Sequence, residues 1–189
     1  MANQMTNMPR VRPKVSPVRR IITGHDENGT AVIVADDVCP HVDSILGLDN
    51  FATTELWTTA VPADNAASGD PVELPHRIAP PENGAVFRIV EFPPDKTFRD
   101  ALRPDQVLTE GGGKSGGSQL LHRTRSVDFA IVVCGDIWCV MDGGEVLMHP
   151  GDVMIQRGTN HDWQNRTQEP ARVAFVLIGA QPLKGLSGS

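Results

Sequence analysis

The sequence predicts an antiparallel all-β fold. Three observations carry this reading: the apolar runs are short and β-rich, glycine and proline punctuate them closely, and the later runs are joined by very brief turns. With 18 Gly and 15 Pro among 189 residues, long helices are broken and turns are frequent. Strands joined by so few residues are antiparallel neighbours, because a parallel connection needs a crossover of about a dozen residues or more. At least nine strands and almost no helix favour a sheet rolled up on itself, which removes exposed edges. Periodicity alone leaves barrel and sandwich both open.

The elements follow in order. Val18 to Thr23 and Thr30 to Ala35 flank His25-Asp26-Glu27-Asn28-Gly29, where Asn-Gly supplies the positive φ of a tight hairpin turn. Glu55 to Val61 reads as a strand, residues 62 to 84 with five prolines as a long surface loop, and Val86 to Phe92 as a strand closed by Pro93-Pro94. Residues 95 to 119 are polar and end in Glu110-Gly-Gly-Gly-Lys-Ser-Gly-Gly-Ser118, the composition of a flexible linker. Six β-rich runs then follow, Val127 to Cys134, Ile137 to Met141, Glu145 to Met148, Val153 to Gln156, His161 to Asn165 and Ala171 to Ile178.

Composition excludes several function classes. At 20.4 kDa, with 40% hydrophobic and 21% charged residues, the chain has the profile of one globular domain, and no run approaches a membrane span. The net charge of −6 is uneven. Arg10, Arg12, Lys14, Arg19 and Arg20 lie in residues 1 to 20 without a carboxylate, so the remaining 12 basic side chains face 23 acidic ones, a balance of −11. An acidic body repels nucleic acid and anionic membranes. The prolines of residues 1 to 20 break any targeting helix and no apolar signal core is present, so the expectation is a cytoplasmic protein with a basic arm at 1–20, one domain at 21–180 and a flexible tail at 181–189. Cys39, Cys134 and Cys139 form no CxxC pair, as expected in a reducing compartment; Cys134 and Cys139 are expected to be small buried hydrophobes.

Gly113-Lys114-Ser115 has the look of a phosphate-binding loop. That motif needs Gly where Leu108 stands, and a helix rather than a strand pattern after it, so nucleotide binding is rejected.

Chemistry concentrates in the second half. Residues two apart on a strand share a face, which groups His122 with Thr124, Asp128 with Ala130, Val132 and Cys134, and His161 with Trp163 and Asn165. If those faces turn inward, two imidazoles and a carboxylate converge, a ligand set suited to Fe, Mn, Zn or Ni. His25, His41, His76 and His149 lie in loops and read as solvated. Trp138 and Trp163 read as barrel filling, Trp163 being the better pocket candidate through its parity with His161. Glu55, Trp57, Arg88 and Glu91 read as structural.

The spacing Gly116, five residues, His122, one residue, Thr124, three residues, Asp128, six residues, Gly135 is similar to the first cupin motif, Gly-x5-His-x-His-x3-4-Glu-x6-Gly. Gly151, Gly158, His161 and Asn165 resemble the second, Gly-x5-Pro-x-Gly-x2-His-x3-Asn, and the 15 residues from 136 to 150 match the short stretch between motifs in microbial cupins. The motif core spans 116–165. The resemblance implies an antiparallel double-sheet, jelly-roll-like β-barrel, commonly dimeric, with a metal or ligand in its mouth. Its ligand positions fall on His122, Thr124, Asp128 and His161. Thr124 stands where the family has its second His, Asp128 is one methylene shorter than the usual Glu, and Gln156 stands near the motif Pro.

The function this implies is a metal-dependent enzyme acting on a small carbonyl, carboxylate or phenolic molecule, with lyase, isomerase or decarboxylase chemistry. His122, Asp128 and His161 would hold the divalent ion and join Trp163 as catalytic residues. The alternatives are an Fe(II) dioxygenase, a non-catalytic barrel that binds a small ligand or serves as an accessory subunit, and metal-free acid–base chemistry by the same three residues. A homodimer is expected, with Val15, Val18, Ile21 and Ile22 extending a sheet on the neighbouring subunit.

Overall fold

Eleven strands form among the described residues, which are 12–104, 106–108 and 118–183 of the computed structural model. The hairpin of β1 (Arg19–His25) and β2 (Ala31–Val38) is a sheet of its own. A six-stranded sheet has the order β3-β4-β5-β11-β6-β9, built from β3 (Val42–Ser44), β4 (Ala52–Ala60), β5 (Gly84–Phe92), β6 (Ser126–Cys134), β9 (Val153–Arg157) and β11 (Ala171–Gly179). Opposite it lies β10-β7-β8, from β7 (Ile137–Met141), β8 (Gly144–Met148) and β10 (His161–Gln164). Every pairing is antiparallel, as the brief turns require.

Alternation does the sorting. Along β6, Ser126, Asp128, Ala130 and Val132 are buried while Ile131 and Val133 face out. The core joins both sheets: Val90, Phe92, Val132, Val173 and Phe175 of the large sheet pack with Ile137, Cys139, Met148 and Trp163 of the small one. Trp163 sits 5.4 Å edge-on to Phe175 and 6.4 Å from Phe92 between ring centroids, in the offset geometries aromatic rings prefer. The β6–β7 turn needs its glycine, since Gly135 has φ +71° and a Cβ there would lie 2.8 Å from the Pro170 carbonyl oxygen.

Several expectations are corrected. The short strand β3 and two 3-10 turns, at Asp95–Thr97 and Arg99–Ala101, are too brief to leave a periodic signal. Cys139 is buried as expected, but Cys134 is exposed because β6 has reached its end there. Trp138 does not fill the barrel; it is half-buried under the Arg166 guanidinium, 5.3 Å from its ring centroid. His76 is not solvated: it is buried, and both its ring Nδ1 and its backbone N–H reach Asp43 Oδ2, at 2.9 and 3.0 Å. The linker at 110–117, with Gly116 and the phosphate-loop look-alike, and the tail beyond 183 lie outside the described residues.

Candidate functional site: a histidine pair and a polar barrel end

His122 and His161 face one another. His122 joins the first residue of β10 by a two-bond antiparallel bridge, N–H to carbonyl in both directions at 3.0 and 2.9 Å, and the two rings lie 4.3 Å apart between centroids. Each ring is fixed in the same way. His122 Nδ1 donates to the Leu120 carbonyl oxygen and His161 Nδ1 to that of Thr159, both at 2.9 Å and both two residues back along the chain. A carbonyl oxygen only accepts, so in the neutral rings the proton sits on Nδ1 and both Nε2 atoms carry the lone pair. His161 is buried and stands edge-on to Trp163, 6.4 Å between centroids. Burial, and after it the neighbouring His122 ring, push its imidazole down to about 3.

Asp128 is placed differently. It is buried on the inner face of β6, opposite Gln156 of β9. Burial pushes its carboxyl up to about 6 against the opposing pull of the Ser126 hydroxyl, the Arg88 charge and the Thr124 hydroxyl. Thr124 and Ser126 bond each other at 2.6 Å between hydroxyl oxygens. Asp128 Oδ1 and Gln156 Oε1 are both buried without a hydrogen-bond partner among the described residues.

The ligand trio expected from the sequence is brought together only in part. Two of its members meet, but among the described residues no three His, Cys, Asp or Glu side chains come together as a set that could hold a metal ion. Asp128 has the Ser126 and Thr124 hydroxyls and the Arg88 charge as its partners. Two imidazoles suit a divalent ion; the set as a whole does not fit a three-ligand centre. Trp163, offered as a catalytic residue, is enclosed by Phe92, Phe175 and His161 and supports the His161 ring.

Beside Asp128, the large sheet ends in a polar layer. Arg88 is buried with its Nε 3.2 Å from Glu55 Oε1, and its Nη2 donates to the Arg77 carbonyl oxygen at 2.7 Å. These residues, with Thr124 and Ser126, line a cavity of about 1270 Å³ at the end of the sheet, closed on one side by residues 71–82.

The cupin-domain family, Cupin_2, matches residues 106–178. The phomopsin biosynthesis cluster protein C' of Diaporthe leptostromiformis is 33% identical over 181 residues, covering 91% of this chain and 84% of that protein. The chain belongs to the cupin family. A cupin-domain-containing oxidoreductase of Aspergillus ruber is 29% identical over 171 residues, covering 87% of this cupin and 73% of that protein. Among solved structures, a putative ethanolamine utilization protein of Salmonella typhimurium aligns over 88% of this chain and all of its own, at 11% identity and a TM-score of 0.44. This cupin keeps the first and last motif histidines in contact and has a hydroxyl, Thr124, where the motif has its second imidazole. The sequence pointed to His122, His161 and Asp128; it gave no sign that Gln156 faces Asp128 across the sheet, although its departure from the motif proline marked the position.

Proposed function

We propose that this cupin is an enzyme that moves protons on a small molecule bearing a carbonyl, carboxylate or phenolic oxygen, in a reaction of the lyase or isomerase type. The observation that supports it is the histidine pair with both Nδ1 atoms committed to backbone carbonyls. A ring held in that way accepts a proton at Nε2, and the carbonyl at Nδ1 stabilises the imidazolium that forms. Two rings so close do not both become charged. His161 is the ring that stays neutral, so the acceptor is His122, which is only partly buried. Removing a proton next to a carbonyl gives an enolate, the common first step of isomerisation, dehydration and carbon–carbon cleavage.

A second reading is oxidation of such a molecule, favoured by the name oxidoreductase carried by the Aspergillus ruber relative. The test separates the two. The probe is 2′-hydroxyacetophenone, with a phenol and an enolisable methyl ketone, incubated in D2O with chelator-treated protein and followed by proton NMR. Methyl-proton exchange above the buffer rate, lost in His122→Ala, is the expected result. Exchange no faster than buffer, with turnover appearing only after Fe(II) is added under oxygen, overturns the proton-transfer reading in favour of oxidation.

A further inference from the structure

The cavity at the end of the large sheet has a chemistry opposite to that of the chain around it. The protein carries a formal charge of −6, yet five arginines, Arg77, Arg88, Arg123, Arg125 and Arg157, line this one space against Glu55, Glu73 and Glu82. Arg88 and Glu55 are set against each other at 3.2 Å, and Arg77 and Arg157 bring two further guanidinium groups to the wall. The arginines come from three places: Arg77 from the loop after β4, Arg123 and Arg125 from the approach to β6, and Arg157 from the end of β9, which pairs with Val127. Guanidinium groups recognise carboxylate and phosphate oxygens with two parallel bonds and hold them better than a point charge does. The wall also carries apolar side chains, among them Trp57, Val72, Leu74, Val86 and Leu183. At about 1270 Å³ the space exceeds what a bare anion needs and reaches the size of a drug-sized ligand site.

We propose that this cavity binds an amphipathic anion, a small molecule with a carboxylate or phosphate head and an apolar body of several carbons. The head lies against Arg77 and Arg157 and the body against Trp57, Leu74 and Leu183. The cavity floor includes Thr124, two residues from His122. The proposal thus names the substrate class that the proton-transfer reading leaves open, and rests on that reading only for calling the bound molecule a substrate.

Binding is tested separately from turnover, by titration calorimetry on the full chain with four probes: octanoate, octyl phosphate, octanol and acetate. Octanoate or octyl phosphate should bind saturably and more tightly than either octanol, which has the body without the charge, or acetate, which has the charge without the body. Which of the two anions binds better tells a carboxylate head from a phosphate head. The double variant Arg77→Ala, Arg157→Ala should weaken the preferred anion about tenfold or more with an unchanged circular dichroism spectrum, and raised salt should act in the same direction. Arg166→Ala, in the turn after β10 and paired with Glu145, should leave affinity unchanged. His122→Ala should also keep it, so that loss of proton exchange with retained binding separates failure of the catalytic reading from failure of this one. Octanol binding as tightly as both anions, no saturable anion binding up to the solubility limit, or full affinity in a folded double variant overturns the proposal. If the double variant does not fold, Leu74→Asp, placing a charge on the apolar wall, must abolish anion binding, and unchanged binding there overturns it equally.

Discussion

Asp128 and Gln156 stand opposite one another on β6 and β9, and each keeps one buried oxygen without a donor among the described residues. Each of these oxygens is an acceptor, and neither carries a proton while Asp128 is ionised. Its carboxyl, pushed up to about 6 chiefly by burial, is the group that can supply one. The folded state holds this proton more tightly than the unfolded chain, whose carboxyl titrates near 3.8. Stability is therefore unaffected below that value, falls as pH rises through 6, and carries the full cost above it, about 3 kcal/mol. Asp128→Asn removes the charge and adds an amide donor beside Gln156. It should raise unfolding free energy at pH 8 and leave it nearly unchanged at pH 4, as read by urea titration; equal effects at the two pH values would contradict the assignment.

Thr124 lies between the two halves of the expected metal set. Its hydroxyl acts on Asp128, and it is two residues from His122 with open cavity beside it. Thr124→His puts a third imidazole at that junction and should raise Zn(II) or Ni(II) affinity about tenfold or more by calorimetry, since each imidazole adds a donor to the same ion. No gain would mean that this position does not reach the histidine pair.

Arg99 anchors β10 from outside the barrel. Its Nη1 and Nη2 bond Asp162 Oδ2 and Oδ1, both at 2.9 Å, and Nη2 also donates to the Trp163 carbonyl oxygen at 2.6 Å. Asp162 is 1% exposed, so Arg99→Met leaves a buried carboxylate without its counter-charge. The cost should be about 3 to 5 kcal/mol by chemical denaturation. Arg166→Ala breaks an exposed pair with Glu145 and should cost about 1 kcal/mol or less.

Strand positions were legible because turn chemistry is local. Asn28-Gly29, Gly135-Asp136 and Pro150-Gly151-Asp152 each end one strand and start the next within a few residues, and the structure bends at each. The histidine pair was legible from motif spacing. Asp128 was not: spacing gives the face on which a side chain lies, while its neighbours depend on how far along the strand it sits and on what β5 and β9 bring across. The arginine-lined cavity was hidden for a related reason. Arg77, Arg123 and Arg157 are far apart in the chain, and Arg123 and Arg125 meet the loop at 71–82 only across the folded cavity. His76 misled because loop position says nothing of a carboxylate 33 residues away.

The last prediction concerns assembly. Residues 12–18 run along the chain's own body: the Lys14 ammonium pairs with Asp49 at 2.7 Å, and the Ser16 backbone N–H bonds Glu91 Oε2 at 3.0 Å. Ile21 and Ile22, expected to extend a neighbour's sheet, pair with Asp36 and Ala35 in the chain's own hairpin. That hairpin leaves Ile21, Ile33, Val34 and Val38 each more than half exposed. The outer face of the large sheet does the same with Val153 and Ile155 at 59% and 52%, beside Ile131, Val133 and Phe87. Two uncovered apolar surfaces on one chain fit a second copy of it, and we propose a homodimer in which the hairpin of one subunit covers the sheet of the other. Light scattering should give twice the 20.4 kDa of the chain. Ile33→Asp on the hairpin and Ile155→Asp on the sheet each put a charge in the contact without touching the core, and each should shift the mass to that of one chain. Deleting residues 1–20, which takes Arg19 and Arg20 from β1, should weaken the dimer in the same direction. A monomeric wild-type protein, or a dimer indifferent to both aspartates, would place the two surfaces outside any self-association.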